Sequence, residues 1–350
     1  MTATIEVGKK PQKKKFQRAP RDYSQRLRHV VQLAFFSLNV WIGIDFVRFV
    51  HYYETAGRVG APNRPAGIEG WLPIASLMNL KLLVETGSLP SVHSAGLFLL
   101  IAFLSISWLL RKAFCSWLCP IGTLSEYLWK IGRDTFRRNW RLPRVFDLSL
   151  RSLKYALLGF FLYAIAGMPV AAIRDFLEGP YGLIADVKLL NFFRYLSIGG
   201  AITLAVLVVF SVFIQNFWCR YLCPYGALLG LFSLAGPLRI RRSTTLCIDC
   251  GKCARDCPSA LPVDQLVSIR SAECTGCLEC VAVCPAGGAL VLSAGKKRVV
   301  PAWAVAAGIG VLFFGSYLIA AATGHWHTNL PDRVYMELVP RAREFTHPYR

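Results

Sequence analysis

The chain has 350 residues, of which 54% are hydrophobic and only 17% are charged, and its mean hydropathy is +0.42. This composition is too apolar for a typical soluble globular protein, so we expect a membrane protein. The net charge of +20 would be typical of a nucleic-acid-binding surface in a soluble protein, so the positions of the charges decide its meaning. No Walker loop, GxGxxG motif or paired nucleophile and base is present, which argues against the common nucleotide-dependent and hydrolytic enzymes.

Five apolar stretches predict transmembrane helices. The first, at residues 30–50, follows a basic arm at residues 1–28. It is too long for a signal peptide and no small-residue cleavage site follows it, so we expect a retained span. Each stretch supplies about 20 residues, enough for a hydrocarbon layer of about 30 Å. The other four cover residues 93–111, 153–173, 196–217 and 300–322.

The Lys and Arg residues lie mostly on one side of these five predicted spans. The basic arm and residues 111–154 and 218–299 carry 29 of them, whereas the other side carries 10, and Arg48 lies inside the first span. Because basic loops stay in the cytoplasm, we predict a multi-pass protein of the bacterial inner membrane with a cytoplasmic N-terminus and an extracytoplasmic C-terminus. Orientation and anionic lipid explain the charge, so nucleic acid is not expected as a partner.

Two segments are near copies of each other. FCSWLCPIGTL at residues 114–124 and WCRYLCPYGAL at residues 218–228 each follow a predicted helix pair, and their cysteines are 104 positions apart. The outer loops at residues 69–83 and 178–190 also resemble each other, and each is too short to span, so we expect interfacial or re-entrant segments there. The sequence therefore predicts an internal duplication that brings the two CxxxCP loops together.

Eight of the twelve cysteines have the spacing of bacterial two-cluster ferredoxins, in CIDCGKCARDCP at residues 247–258 and CTGCLECVAVCP at residues 274–285. In this pattern three cysteines of one run and the last cysteine of the other bind each [4Fe-4S] cluster, which requires a reducing compartment. Paired zinc knuckles fit the pattern less well, because zinc sites usually use two CxxC pairs. The predicted ligand sets are Cys247, Cys250, Cys253 and Cys284 for one cluster, and Cys274, Cys277, Cys280 and Cys257 for the other.

The remaining cysteines form one pair in each CxxxCP loop: Cys115 and Cys119, then Cys219 and Cys223. Four thiolates from two repeats could hold a further iron-sulfur or other metal centre at the membrane surface. Two thiols on one helix face also suit a redox-active dithiol or simple apolar packing, so three interpretations stay open.

Ionisable residues in or near the spans are further candidates for chemistry. Asp45 and Arg48 share one face of the first span, where they either neutralise each other or act in quinone binding or proton release. His93 is predicted on the outer side, where oxidation of a quinol needs a proton acceptor. No pair of histidines within the spans suits a b-type haem.

The combination of FCSWLCP, WCRYLCP and the eight-cysteine segment resembles the NapH-type membrane polyferredoxins of periplasmic nitrate reduction and the membrane half of NosR. The resemblance extends from the first span through Pro285. It implies a quinol dehydrogenase-type component that passes electrons from the quinone pool to a respiratory reductase, or to cytochrome or ferredoxin subunits. A fifth span and an outer tail depart from this pattern, so the pathway is not specified. A maturation factor that delivers reducing equivalents to a metalloenzyme, and a redox sensor, are alternatives.

We therefore predict an all-α membrane bundle of about five helices, internally duplicated, with a small α+β ferredoxin insert that holds two [4Fe-4S] clusters. The predicted units are the basic arm at 1–28, a first membrane repeat at 29–130, a connector at 131–152, a second repeat at 153–238, the ferredoxin domain at 239–298, a fifth span at 299–322 and an extracytoplasmic tail at 323–350.

Overall fold

A computed structural model describes residues 16–20, 22–58, 60, 63–137, 139–295, 298–328 and 330–347. Most of the basic arm predicted at residues 1–28 lies outside the described residues, as do Lys296 and Lys297 at the end of the predicted ferredoxin domain.

The described part of the chain is mostly helical, as the apolar composition predicts. The helices are α1 Ser24–Glu54, α2 Pro73–Thr86, α3 Ser94–Leu109, α4 Pro120–Phe136, α5 Arg144–Gly167, α6 Val170–Glu178, α7 Pro180–Leu183, α8 Ala185–Arg194, α9 Ile198–Phe213, α10 Pro224–Leu234, α11 Lys252–Arg255, α12 Glu279–Ala282, α13 Ala302–Ala322 and α14 Asp332–Leu338.

Three helices among the described residues are long and apolar enough to cross a membrane, namely α1, α5 and α13. Helices α3 and α9 lie in the other two predicted spans but have 16 residues each, which is about 24 Å of helix. Helix α9 reaches a sufficient length only together with α8, across a bend of 83°. The structure thus has three helices of sufficient length, or four with the bent pair, and five spans stay a prediction.

The short helices α3 and α9 are followed by left-handed backbone, which interrupts an α-helix. Arg111 has φ +63° after α3, and Asn216 has φ +52° after α9. A π-helical segment follows each of them, Phe114–Leu118 and Trp218–Leu222. A proline then begins the next helix, α4 or α10, because proline is tolerated in the first turn. The two CxxxCP segments therefore have the same local structure.

The ferredoxin segment contains a three-stranded antiparallel sheet with strand order β1-β2-β3. The strands are β1 Leu238–Arg242, β2 Leu290–Ala294 and β3 Arg298–Val299. Ile240 pairs with Leu292, and both side chains are buried, so the sheet turns one apolar face inward. The short helices α11 and α12 each carry one ferredoxin cysteine, Cys253 and Cys280. This α+β arrangement agrees with the predicted insert.

Several helices connect the end that holds this sheet, which we call the ferredoxin end, to an opposite far end. Near the start of α1, Arg28 contacts Glu279 of α12, whereas Tyr53 near its other end packs on Tyr335 of α14, with ring centroids 5.3 Å apart. Ser94 at the start of α3 donates to the carbonyl oxygen of His325 beyond the end of α13, at 2.7 Å. The far end also holds α2, and Lys81 of α2 donates to the carbonyl oxygen of Met168 just after α5.

One hydrophobic core joins the membrane helices to the ferredoxin segment. It contains Ile106 of α3, Trp117 of the first CxxxCP segment, Leu229 of α10 and Leu278 and Leu292 of the ferredoxin segment. Trp117 is fully buried in this core, and truncating a buried Trp typically costs about 3–5 kcal/mol. The ferredoxin segment therefore shares its core with the membrane helices.

Candidate functional site

The eight ferredoxin cysteines line two separate cavities, four in each. Both are narrow, with a cavity volume of about 20 Å³ each. We call one the exposed cluster site, because Cys250 is exposed to solvent, and the other the buried cluster site. The exposed cluster site is lined by Cys247, Cys250, Cys253 and Cys284, and the buried cluster site by Cys257, Cys274, Cys277 and Cys280.

These groups of four thiols correspond to the ligand sets that the spacing predicts. A single metal ion needs its ligands about 2 Å from one point, and no three His, Cys, Asp or Glu side chains in the described ranges meet that need. A four-iron cluster binds four thiolates that are spaced more widely than the ligands of a single ion, which suits four cysteines that line one cavity. The residues therefore fit a [4Fe-4S] cluster at each site, and the assignment of ligands stays a prediction.

Backbone geometry brings amides and neighbouring segments close to these thiols. The amide of Asp249 donates to Cys247 Sγ at 3.4 Å, and such bonds tune cluster potentials. Gly276 has φ +64°, and a Cβ there would lie 3.2 Å from Arg111 Cβ, so the glycine lets the second ferredoxin loop approach the end of α3. Gly251 has φ +68° but open space around it, so its backbone conformation is what favours glycine.

The four CxxxCP cysteines line one large cavity of about 460 Å³. Cys119 and Cys223 each occupy the position before a helix, α4 or α10, and their sulfur atoms accept hydrogen bonds from the amides of Gly122 and Gly226 at 3.4 and 3.2 Å. The partial positive charge at a helix N-terminus favours thiolate, the form that binds metals. The two CxxxCP loops thus present their cysteines to the large cavity with the same local geometry.

Burial disfavours ionisation of three of these thiols, Cys115, Cys119 and Cys219, and raises the pKa of each. It raises the pKa of Cys115 to about 11 and that of Cys119 to about 12, although the amide of Gly122 opposes the shift at Cys119. Such thiols keep their protons at neutral pH unless a bound cation displaces them. Convergence of the four CxxxCP cysteines on one cavity supports a shared metal centre, and this chemistry suits a further iron-sulfur cluster.

The rest of the large cavity is mainly apolar and extends between α1, α3 and α13. Leu99 and Phe103 of α3 form part of its wall, and Trp71 lines it toward the far end. Leu38 of α1 and Phe314 of α13 also line it and are 43% and 58% exposed, so the cavity opens sideways between these two long apolar helices. An apolar molecule could enter it from within a bilayer.

The large cavity adjoins the buried cluster site. Pro258, Ser259, Thr275 and Cys277 line both, whereas the exposed cluster site shares no lining residue with the large cavity. Residues between the two cysteines of the first CxxxCP motif also contact the second ferredoxin loop. Ser116 Oγ donates to the carbonyl oxygen of Thr275 at 2.7 Å, and Trp117 Nε1 donates to that of Gly276 at 3.2 Å. The three sites therefore follow one another from the membrane cavity to the solvent.

A buried ion cluster fixes this junction. Arg28 of α1 is fully buried and donates to both carboxylate oxygens of Glu126 in α4 at 2.6 Å, and to Glu279 in α12 at 3.0 Å. Burial alone would raise the pKa of Glu126, but the hydrogen bond and charge of Arg28 hold it well below its usual range. In the sequence Arg28 is one of many basic residues at the N-terminus, so no signal distinguished it.

The three candidate catalytic residues do not line the large cavity. Asp45 and Arg48 contact only at 3.4 Å on an exposed face of α1. His93 lies at the far end with φ +53°, fully buried, where its Nε2 is 2.8 Å from the carbonyl oxygen of Gly182 and its Nδ1 is 3.6 Å from Glu69. Among the described residues, His93 makes no hydrogen bond or ion pair with Asp45 or Arg48.

Glu69 belongs to a far-end ion cluster that joins the two outer loops. Arg64 contacts both Glu69 and Asp186 at 2.7 Å, and Thr328 also donates to Glu69. Glu69 and Asp186 come from the two similar outer loops, but the sequence similarity did not show that one arginine would bridge them. This cluster explains the burial of charge at the far end without a catalytic role.

Comparisons with known proteins agree with this chemistry. A family model described as a 4Fe-4S binding domain matches residues 92–143 and 196–243, and one described as a 4Fe-4S dicluster domain matches residues 239–300. No solved structure matches the chain.

Several curated proteins are similar in sequence. YccM of Escherichia coli, named for electron transport, is 47% identical over 91% of both chains. The ferredoxin-type protein NapH of the same organism is 26% identical over 50% of this chain and 59% of its own length. The regulatory protein NosR of Pseudomonas aeruginosa is 31% identical over 53% of this chain but only 25% of its own length.

Proposed function

The chain belongs to the family of NapH- and NosR-like membrane polyferredoxins, and on this premise we propose that it transfers electrons between a quinone in the membrane and [4Fe-4S] clusters at the ferredoxin end. Its similarity to proteins named for electron transport, together with the two 4Fe-4S family models, supports iron-sulfur electron transfer. One observation carries the proposal. The cavity that the four CxxxCP thiols line both opens between two membrane helices and adjoins the buried cluster site.

Three sites would hold the clusters. Cys247, Cys250, Cys253 and Cys284 would hold one, and Cys257, Cys274, Cys277 and Cys280 another. Cys115, Cys119, Cys219 and Cys223 would hold a third centre, facing the large cavity. Iron-sulfur clusters supply one-electron transfer when bound. Cys250 is the exposed cysteine among the described residues, so the exposed cluster site would be the one that meets a soluble partner.

The quinone would occupy the large cavity. Its apolar wall suits a lipid-soluble molecule, its opening lies between α1 and α13, and its polar end contains the CxxxCP thiols. The candidate residues Asp45, Arg48 and His93 would have placed the quinone far from the cysteines and required an electron carrier across the membrane. A quinone within the large cavity would instead reach the ferredoxin end directly. Asp45, Arg48 and His93 do not line the cavity, so we do not place quinone chemistry on them.

Partial closure of the cavity tests this site. Leu38→Trp should narrow the opening, whereas Val40→Trp changes a similarly exposed residue of the same helix that does not line the cavity. After dithionite reduction and removal of the reductant, reoxidation of the clusters by a short-chain quinone is followed by absorbance. We expect Leu38→Trp to slow reoxidation about tenfold or more and Val40→Trp to leave it unchanged. Equal rates in both variants, or no reaction of the wild type with quinone, would refute the quinone site.

The proposed membrane arrangement has five spans, α1, α3, α5, α9 and α13, in two repeats followed by a last helix. The equal local structure of the two CxxxCP segments and the match of one family model to residues 92–143 and 196–243 support the duplication. The positive charge near the ferredoxin end supports a cytoplasmic location for this end in the bacterial inner membrane. A respiratory reductase or another redox protein would be the partner, as the NapH- and NosR-type relatives suggest.

A further inference from the structure

Lys112 is a buried cation that faces the large cavity. Lys112 is only 3% exposed, and its ammonium has no hydrogen-bond or ion-pair partner among the described residues, whereas its backbone carbonyl oxygen accepts from the amide of Cys115. The preceding residue, Arg111, has φ +63°, and its guanidinium donates to the carbonyl oxygens of Ser233 and Ser271. These bonds hold the turn after α3, so the backbone that presents Lys112 to the cavity is fixed.

The ammonium group lies beside the CxxxCP thiols. A Cβ added to Gly226 would lie 3.5 Å from both Lys112 Nζ and Cys223 Sγ, so those two atoms are separated by no more than twice that distance. Gly226 thus keeps the space between the lysine and the cysteine free of side-chain atoms. Cys115, Glu273, Cys223 and Cys219 are the groups whose negative charge, when they are ionised, would stabilise the ammonium of Lys112.

The other charged residues that line the cavity have partners of opposite charge. Glu273 accepts from Lys154 at 2.5 Å, Arg220 contacts Asp147 at 2.7 Å, and Glu126 is paired with Arg28. Lys112 also interacts electrostatically with Glu273, so Lys112 and Lys154 share this one carboxylate, and one positive charge is left over at the cavity among the described residues. An uncompensated ammonium is costly to bury, whereas a neighbouring anion removes most of that cost.

We propose that Lys112 is the counter-ion of an anionic centre held by Cys115, Cys119, Cys219 and Cys223, and that it sets the reduction potential of that centre. This inference rests on the proposed function, which assigns a metal centre to the four thiolates. Reduction adds one negative charge to such a centre, so a fixed positive charge close to it favours the reduced state and raises the potential. Lys112 thus acts on the centre through its charge and does not bind the metal.

The charge comes from one repeat only. The position 104 residues after Lys112 is Asn216, which also lines the cavity but is neutral. The two halves thus contribute equal numbers of thiols but unequal charge, and a single substitution at Lys112 removes the whole cation.

Redox titration of the purified protein, followed by EPR, tests the proposal. Lys112→Met should shift the reduction equilibrium of the CxxxCP centre toward the oxidised state by at least tenfold, which corresponds to 59 mV for one electron. Lys112→Arg keeps the charge and should stay close to the wild type. Lys81→Met is the matched control, because Lys81 is a far-end lysine bound to the carbonyl oxygens of Ile165, Ala166 and Met168.

The outcomes show whether Lys112 acts through its charge on the CxxxCP centre or has another role. Loss of iron from the centre in Lys112→Met, with retention in Lys112→Arg, would also support a counter-ion. An unchanged reduction potential of the CxxxCP centre in Lys112→Met would overturn the proposal. A change only in the quinone concentration needed for reaction would also overturn it and would assign Lys112 to quinone binding. A wild type that reacts with quinone but has no CxxxCP centre would overturn it while leaving quinone-linked electron transfer intact. A wild type with a normal titration but no reaction with quinone would contradict only the proposed function.

Discussion

At the scale of single residues, the two CxxxCP loops differ in how closely the backbone packs. A Cβ on Gly122 would lie 2.1 Å from the carbonyl oxygen of Cys115, a separation that real atoms do not reach. The corresponding glycine in the second loop, Gly226, has only ordinary contacts at 3.5 Å. One loop therefore requires glycine for steric reasons, and the other does not.

Gly122→Ala should displace the first CxxxCP loop, because the clash is with backbone and cannot be relieved by a side-chain rotation. Overpacking of this kind costs about 1–3 kcal/mol, and we expect loss of the CxxxCP centre together with a lower melting temperature. Iron analysis and thermal unfolding in detergent measure both effects. Gly159→Ala in α5, where an added Cβ meets nothing within 4 Å, is the control and should retain the iron; retention of the iron in Gly122→Ala as well would show that steric fit at Gly122 is unimportant.

The same scale shows what the sequence could predict. Cysteine ligands are recognisable because cluster chemistry requires fixed spacings, and the structure groups the eight ferredoxin cysteines as those spacings predict. Arg28 and Lys112 were not recognisable, because a basic residue near a membrane looks the same whether it faces lipid headgroups or a buried carboxylate. Their roles depend on contacts with residues such as Glu126, which lies 98 positions from Arg28.

At the scale of elements, the length of the apolar stretches misled the prediction of helix bounds. The stretch at residues 93–111 is apolar throughout, but α3 ends at Leu109, and the one at 196–217 contains α9, which ends at Phe213. Hydropathy does not register the left-handed turns at Arg111 and Asn216, because it averages side-chain polarity over a window and carries no information on backbone angles. These turns shorten the helices and direct the cysteines toward the cavity.

Cysteine labelling tests whether these elements cross the membrane as proposed. Ser88→Cys and Thr323→Cys lie in exposed positions at the far end, and Ser149→Cys is exposed near the start of α5. In intact cells an impermeant maleimide should label the first two, whereas Ser149→Cys should react only after permeabilisation. The unmodified chain gives the background from its twelve native cysteines. Labelling of Ser149→Cys in intact cells would contradict the proposed orientation.

At the scale of the whole molecule, the ferredoxin segment is part of the membrane unit. Trp117 is buried in a core that contains Ile106 of α3 and Leu292 of the ferredoxin sheet, and its indole donates to Gly276. The sequence predicted the ferredoxin segment and the membrane helices as separate domains, because each has its own pattern. Their shared core depends on long-range packing that no local pattern encodes.

The large cavity was also beyond prediction, since its wall comes from α1, α3, α13 and both CxxxCP segments. It connects the membrane to the cluster sites, and its role depends on a third centre at the CxxxCP thiols. The proposed function depends most on the existence of that centre.

Iron and acid-labile sulfide per chain, measured on anaerobically purified protein, test this claim most directly. Three four-iron clusters would give about twelve irons for the wild type, and a Cys119→Ser/Cys223→Ser variant should retain about eight. The two ferredoxin clusters of that variant give an internal standard for correct folding. About eight irons in both proteins would contradict the account, because the CxxxCP thiols would then hold no cluster.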